Sequence, residues 1–196
     1  MKIETLEQLL QEELQDIYDA EKQLVKATPK MAKAAFSPEL AEALNEHLQV
    51  THGQIQRLEK AFEALGTKAK TKTCAGMKGL VEEGQEAIGR DATAGMKDLA
   101  IIGAAQRVEH YEIAAYGNAR TLAEQLGNEE VVELLQETLN EEEEAGEKLT
   151  EISQILLEGV SSGETAEEEQ AGATMGEESD MPKQAGAPKS RRTTGM

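Results

Sequence analysis

The sequence predicts an all-α protein built as a four-helix bundle, and two observations support this fold class. Leu, Ala, Glu, Gln and Lys dominate the 196 residues, whereas the aromatic residues typical of strands make up only 3%. Along four long segments, apolar residues recur at spacings of three and four, which is the period of a helix with one buried face. We therefore expect four long helices around one core, in a chain long enough for a single domain.

The first two helices are marked by their apolar stripes and their ends. The first should begin near Glu4 and run to about Thr28, and Pro29 either ends it or lies within a kinked continuation to Ala35. Ser37 followed by Pro38 is a typical start for the second helix, since Ser caps the free N–H groups and Pro fits the first helical position. We expect this helix to reach Leu65.

The second pair of helices follows a long connection. The third long helix should run from about Ala92 to Leu126 and the fourth from there to about Gly159, with Gly127 between them. The connection, residues 66–91, contains a short predicted helix over Ala75–Ile88. Two helical pairs joined by one long crossover form the ferritin-like arrangement.

The end of the chain has a different composition. Residues 161–196 are rich in Gly, Ala, Glu, Ser and Pro and carry no periodic apolar pattern. Such a segment cannot bury enough apolar surface to offset the entropy of ordering it. We therefore expect a bundle domain over residues 1–160 and a disordered tail over residues 161–196.

Net charge and cysteine content limit the binding partners and the cellular compartment that we expect for this protein. The net charge of −18 argues against binding nucleic acid through phosphates, and it disfavours anionic membranes. Cys74 is the only cysteine, which suits a reducing compartment. The basic residues Lys70 and Lys72 before it could lower the pKa of its thiol, but a plain loop cysteine is the favoured interpretation. The N-terminus lacks the apolar region of a signal peptide, and no run is long enough to span a membrane. We expect a cytoplasmic protein.

Carboxylates inside the apolar stripes are the most informative feature of the sequence. At about 100° per residue, Glu109 lies in line with Ile102, Ile113 and Tyr116, and Glu112 lies at the edge of the same stripe. Glu21 and Glu142 occupy the same phase in the first and fourth long helices. An ionised carboxylate is very costly to bury alone, so each should meet a positive partner.

That partner could be a basic side chain or a metal ion. Arg57, Arg107 or Lys148 could reach the glutamates and pair with them. Alternatively, facing carboxylates with an imidazole suit Fe or Mn. His52 and His47 lie at opposite borders of the stripe of the second helix, whereas His110 points away from Glu109.

Four segments resemble the YciE/YciF family of ferritin-like proteins. They are Asp19-Ala-Glu-Lys-Gln-Leu24, His47-Leu-Gln-Val-Thr-His-Gly-Gln54, Gln106-Arg-Val-Glu-His-Tyr-Glu-Ile-Ala-Ala-Tyr-Gly117 and Leu139-Asn-Glu-Glu-Glu143. The resemblance covers roughly residues 3–157. It implies a rubrerythrin-like bundle, usually a homodimer, that is linked with bacterial stress responses and has a dimetal site.

Carried over by position, the resemblance implies that the metal ligands are Glu21, His52, Glu109, Glu112 and Glu142. The chain departs from the pattern at two points. Relatives tend to carry acidic residues where this chain has Gln49 and Val50, and Ala145 stands where a histidine would follow Glu142 by three residues.

Two functions are therefore expected as alternatives. The first is a stress-response protein with an Fe or Mn dimetal site, linked to redox chemistry with peroxide or dioxygen. The second is a catalytically silent bundle, without metal, that acts through dimerisation or a partner.

Overall fold

The computed structural model describes residues 2–162 and contains five helices within that range. They are α1 (Leu6–Ala34), α2 (Pro38–Ala64), α3 (Ala75–Gly89), α4 (Ala94–Gln125) and α5 (Glu129–Ser162). The predicted four-helix bundle with a short extra helix in the crossover is confirmed. The predicted disordered tail lies outside the described residues, apart from Ser161 and Ser162, which still belong to α5.

Local sequence signals fix most of the helix ends. The side chain of Ser37 accepts a hydrogen bond from the N–H of Leu40, as expected of an N-cap, and Pro38 follows it. Pro29 lies inside α1 rather than at its end. Gly66 and Gly127 follow α2 and α4 with positive φ angles of 65° and 69°, a conformation that glycine adopts without strain.

The turn between α1 and α2 sets the topology of the bundle. Asp98, near the start of α4, accepts hydrogen bonds from the N–H groups of Phe36 (2.8 Å) and Ser37 (2.7 Å). This contact places the start of α4 beside the end of α1. As a result, α2 and α4 run in the same direction, and only a long crossover can connect them. Around the bundle, α1 packs against α2 and α4, and α5 packs against the same two helices.

The apolar core of the described residues has two main clusters along the bundle axis and a third, smaller one where α3 packs on α1 and α4. The turn-end cluster lies towards the α1–α2 turn and includes Met31, Leu40, Leu44, Ile101, Ile102 and Leu149. The distal cluster lies towards the other end and includes Leu10, Leu14, Phe62, Tyr116, Val131 and Leu135. Within residues 2–162, no helix is both long and apolar enough to cross a bilayer.

Cys74 caps α3 rather than lying free in a loop. Its thiol accepts a hydrogen bond from the N–H of Met77 (3.3 Å) and lies 2.9 Å from the Tyr111 hydroxyl, which donates to Asp16 (3.0 Å). The side chain is fully buried where α3 packs on α1 and α4. Burial is the largest effect on this thiol and raises its pKa.

We expect Cys74 to resist alkylation in the native protein. A buried thiol with a raised pKa exposes little thiolate, so its reaction with iodoacetamide at pH 8 should be more than about tenfold slower than in the urea-unfolded chain. Mass spectrometry of timed samples measures both rates. Equal rates would show that the crossover opens freely and that Cys74 is accessible.

Candidate metal centre

Each long helix places a polar side chain in the core at the level between the two apolar clusters. Glu21 comes from α1, Glu109 and Glu112 come from α4, and Glu142 comes from α5, and none of the four is more than 3% exposed. From α2 comes His47, whose side chain is 13% exposed. The apolar stripes that form the bundle thus bring four carboxyl groups and one imidazole to a single layer.

Four of these side chains converge on one point. His47, Glu109, Glu112 and Glu142 each offer one possible ligand atom, and these atoms all lie within 4.8 Å of one another. The Nε2 atom of His47 lies 3.5 Å from Glu109 Oε2 and 3.8 Å from Glu142 Oε2. Atoms bound to one ion at about 2.0–2.2 Å can lie up to about 4.4 Å apart, so the two His47 distances are suitable for a divalent cation. The limit of 4.8 Å for the whole group exceeds this span by only a few tenths of an ångström.

These four side chains, together with Glu21 and Gln54, hold buried polar atoms that lack hydrogen-bond partners. Within residues 2–162, the affected side-chain atoms are Glu21 Oε2, His47 Nε2, Gln54 Oε1, Glu109 Oε2, both carboxyl oxygens of Glu112, and Glu142 Oε2. A buried polar group without a partner costs about 1–3 kcal/mol, and more when it is charged. Such a concentration of unpartnered acceptors in one layer fits a site that receives a cation.

Basic side chains do not neutralise this layer. Arg57 pairs with Glu141 and with Glu137 (3.2 Å), and Lys148 pairs with Glu46 (2.5 Å). Arg107 pairs with Glu83 (3.5 Å). In the part of the chain that the structure describes, no Lys or Arg forms an ion pair with the four buried glutamates. The alternative of a basic partner therefore lacks support.

Burial and repulsion between the carboxyl groups shift the pKa values of three glutamates in the layer. Loss of solvation is the largest effect on Glu21, Glu109 and Glu112, and neighbouring carboxyl groups add to it, so the pKa of each is raised well above its usual value. Arg57 lowers the pKa of Glu21, but this effect is smaller than that of burial or of Glu142. Without a cation, the protonated forms of Glu21, Glu109 and Glu112 are therefore favoured. A bound cation would favour their ionised form.

Hydrogen bonds from neighbouring side chains orient two of the carboxylates. The buried hydroxyl of Tyr116 donates to Glu21, and the amide of Gln54 donates to Glu142 and to Glu141 (3.2 Å). Burial and the nearby Glu21 raise the pKa of Tyr116, so its hydroxyl stays protonated and able to donate. Such outer contacts hold ligands in the orientation that a metal needs.

Sequence comparison gives the family. A family described as a domain of unknown function, DUF892, matches residues 5–161. The chain belongs to this family. It is 44% identical over 154 residues to the protein YciF of Escherichia coli K12. The alignment covers 78% of this chain and 93% of YciF. The resemblance to YciE/YciF proteins that the sequence motifs indicated is thereby confirmed.

Three solved structures share the fold of this chain. The crystal structure of the Escherichia coli stress protein YciF aligns with a TM-score of 0.78 and 43% identity, covering 80% of this chain and 99% of that one. A protein from Rhodopseudomonas palustris, whose description proposes a structural role, aligns with a TM-score of 0.74 and 44% identity. The alignment covers 76% of this chain and 95% of that one. A Xanthomonas campestris protein at 23% identity, covering 82% and 99%, shares the fold with a TM-score of 0.65.

Within this DUF892 chain, the structure brings together four of the five residues expected as ligands. Glu109, Glu112 and Glu142 form the convergent group with His47, and Glu21 lies in the same layer, bonded to Tyr116. His52 does not join them, because it is exposed on α2. Five residues separate His47 from His52, which turns the helix by about 140° between them. The imidazole in the layer is therefore that of His47.

Sequence reasoning missed Gln54 as well as His47. Both lie on the face of α2 that also buries Ala43, Thr51 and Ala61. The stripe predicted for α2 comprised Leu40, Leu44, Leu48, Thr51, Ile55, Leu58 and Phe62, and all of these are buried except Leu48 and Ile55, which are only partly buried. Small residues spaced like Ala43 and Ala61 allow close helix packing, and they were the available signal for the true inward face.

Proposed function

We propose that this protein is a bacterial stress-response, ferritin-like protein that binds Fe or Mn among its four long helices. His47, Glu109, Glu112 and Glu142 would hold the ion. The unpartnered buried atoms of this layer are the observation that carries the proposal, because a cation would satisfy them together. Carboxylates with one imidazole form a donor set that suits Fe and Mn. The relationship to the stress protein YciF supports the biological setting.

A second ion would have a poorer set of donors. The remaining unpartnered acceptors are Glu21 Oε2 and Gln54 Oε1. In dimetal carboxylate bundles, two helices each supply a Glu-x-x-His pair, but Ala145 occupies the third position after Glu142. We therefore propose one firmly bound ion, with a second equivalent depending on Glu21 and Gln54.

Residues around the layer would orient the carboxylates that hold the ion and limit its contact with water. Bound Fe or Mn would supply one-electron chemistry toward peroxide or dioxygen. Tyr116 holds Glu21 in place, and Gln54 holds Glu142. The apolar clusters above and below the layer exclude bulk water along the bundle axis.

Metal analysis of protein purified without chelators tests this proposal. We expect between one and two equivalents of Fe or Mn per chain. Protein that contains no metal and takes up none on incubation with Fe²⁺ or Mn²⁺ would contradict it. That result would favour a structural role, as proposed for the Rhodopseudomonas palustris relative.

Two histidines on α2 give a matched pair of variants. His47→Ala should lower the affinity for Mn²⁺ by more than about tenfold, since even the loss of an outer hydrogen-bond partner costs about 10–100-fold. His52→Ala removes an exposed imidazole from the same helix and should leave the affinity unchanged. Calorimetric titration measures both constants. Equal losses in the two variants would exclude His47 as a specific ligand.

A further inference from the structure

A cavity of about 220 Å³ lies between α2 and α5 beside the candidate metal centre. His47 and Glu109 line it, so the cavity reaches two of the four convergent side chains directly. Its other walls include the aliphatic side chains of Leu44, Val50 and Ala145. The exposed residues Glu46, Glu144 and Lys148 also line the cavity, so it connects the candidate metal centre with the protein surface.

The cavity exists because small side chains follow the ligand positions on both helices. Val50 lies three residues after His47 and Ala145 lies three residues after Glu142, so each projects near the ligand that precedes it. A histidine at the position of Ala145 would occupy this space and bind the metal. The methyl group of Ala145 leaves this space open beside His47 and Glu109, the residues that would hold the ion.

We propose that this cavity admits a small uncharged molecule to the bound ion, and that Ala145 keeps the position open. This inference rests on the proposed metal-binding function. It assigns the entry path, the residue that maintains it and the class of molecule that enters.

The size of the cavity restricts what it can bind. Pockets for drug-sized ligands measure about 300–1,000 Å³, whereas a water molecule takes up about 30 Å³ in the liquid. A volume of about 220 Å³ therefore suits a molecule of a few non-hydrogen atoms with some accompanying water. Peroxide and dioxygen belong to this class.

Charge at the cavity disfavours anions. Glu46, Glu141 and Glu144 line it together with Glu109, and Lys148 is the single Lys or Arg among the lining residues. Lys148 is already paired with Glu46 at 2.5 Å. An anion would enter against the net negative charge of these walls, whereas an uncharged molecule would not.

Nitric oxide binding to the Fe²⁺-loaded protein tests the proposal without an assay of turnover. The two variants to compare are Ala145→Leu, which fills the cavity, and Thr150→Leu, which adds a similar side chain to the groove on the other side of α5. Iron content is measured first, and nitric oxide affinity is then expressed per bound iron. We expect Ala145→Leu to lose at least tenfold in both the association rate and the affinity of nitric oxide, and Thr150→Leu to match the unmodified protein in both.

Two further variants test the position of the cavity and the effect of its negative charge. Val50→Leu fills the same cavity from α2 and should lower the nitric oxide affinity in the same way, which provides the test if Ala145→Leu fails to fold. Glu144→Gln removes an exposed charge at the cavity and should raise the affinity for azide about two- to threefold, with no change for nitric oxide.

The possible failures are distinguishable. If the unmodified protein takes up no iron, the proposed function itself is wrong. If both filling variants bind iron and nitric oxide as the unmodified protein does, the metal site stands and the cavity is not the entry path. If azide affinity does not respond to Glu144→Gln, the charge selection is wrong.

Discussion

Replacement of Glu109 and Glu142 together by Gln is expected to abolish stabilisation by metal while leaving the metal-free protein at least as stable as before. Gln keeps the shape and the hydrogen-bonding capacity of Glu, but it removes both charges from a buried layer. The unmodified protein should gain about 2.7 kcal/mol from Mn²⁺ at a hundredfold excess over its dissociation constant, and the double variant should gain almost nothing.

The pH dependence of the metal-free protein follows from the raised pKa values. Glu109 has a higher pKa in the folded protein than in the unfolded chain, because burial and Glu142 disfavour its charge. The folded state therefore binds more protons, and stability is lost as the pH rises from the unfolded value through the folded one. In the absence of metal, the advantage of the double variant should be small near pH 5 and larger at pH 8.

Thermal melts with Mn²⁺ and with EDTA at both pH values measure these effects. The control variant replaces Glu143 and Glu147, two exposed acids of α5, by Gln and changes the net charge equally. This control should respond to metal as the unmodified protein does. A double variant that is weaker at every pH, beside an unmodified protein indifferent to metal, would instead indicate that the glutamates stabilise the fold through basic partners.

Replacement of Asp98 by Ala is expected to destabilise the bundle by about 2–4 kcal/mol. The Asp98 side chain is buried and accepts two backbone hydrogen bonds from the α1–α2 turn. Hydrogen bonds to a charged acceptor contribute about 1.5–3 kcal/mol each, and their removal leaves the N–H groups of Phe36 and Ser37 without this acceptor. Urea unfolding followed by circular dichroism measures the change in the free energy of unfolding.

Two further variants define the cause of this loss. Asp98→Asn keeps one acceptor oxygen and should retain part of the stability. Asp91→Ala removes an exposed acid shortly before α4 and should change stability by less than about 0.5 kcal/mol. A loss of similar size in Asp91→Ala would mean that general charge effects, and not the two hydrogen bonds, account for the result.

The helical phase of each residue explains why the buried glutamates could be predicted from the sequence and why the buried histidine could not. Glu21, Glu109 and Glu142 lie among large apolar residues at a consistent phase, so their burial followed from periodicity alone. On α2 the apolar residues are spread over a wide arc, and the phase depends on whether small or large residues mark the inward face. His47 and His52 lie at the two borders of that arc, and only the packing of α2 against α1 and α5 decides between them.

Hydrogen-bond partners could not be predicted in the same way. Periodicity identifies the face on which Gln54 or Arg57 lies, but not the atom that a flexible side chain reaches. Arg57 could reach either the buried layer or the surface, and the structure shows it bonded to Glu141 and Glu137 on the adjacent turn of α5. The partner of a long side chain depends on the local geometry of the neighbouring helices, which the sequence alone does not give.

The division of the core by a polar layer also determines how the helices align with one another. Apolar stripes alone would tolerate the sliding of one helix past its neighbours by a turn, about 5.4 Å. Such a slip would carry Glu21, Glu109 or Glu142 out of the layer and into an apolar cluster, where no donor or cation could meet it. The alignment observed here keeps all the acids at one level, so the residues that cost the core stability also select a single helix register.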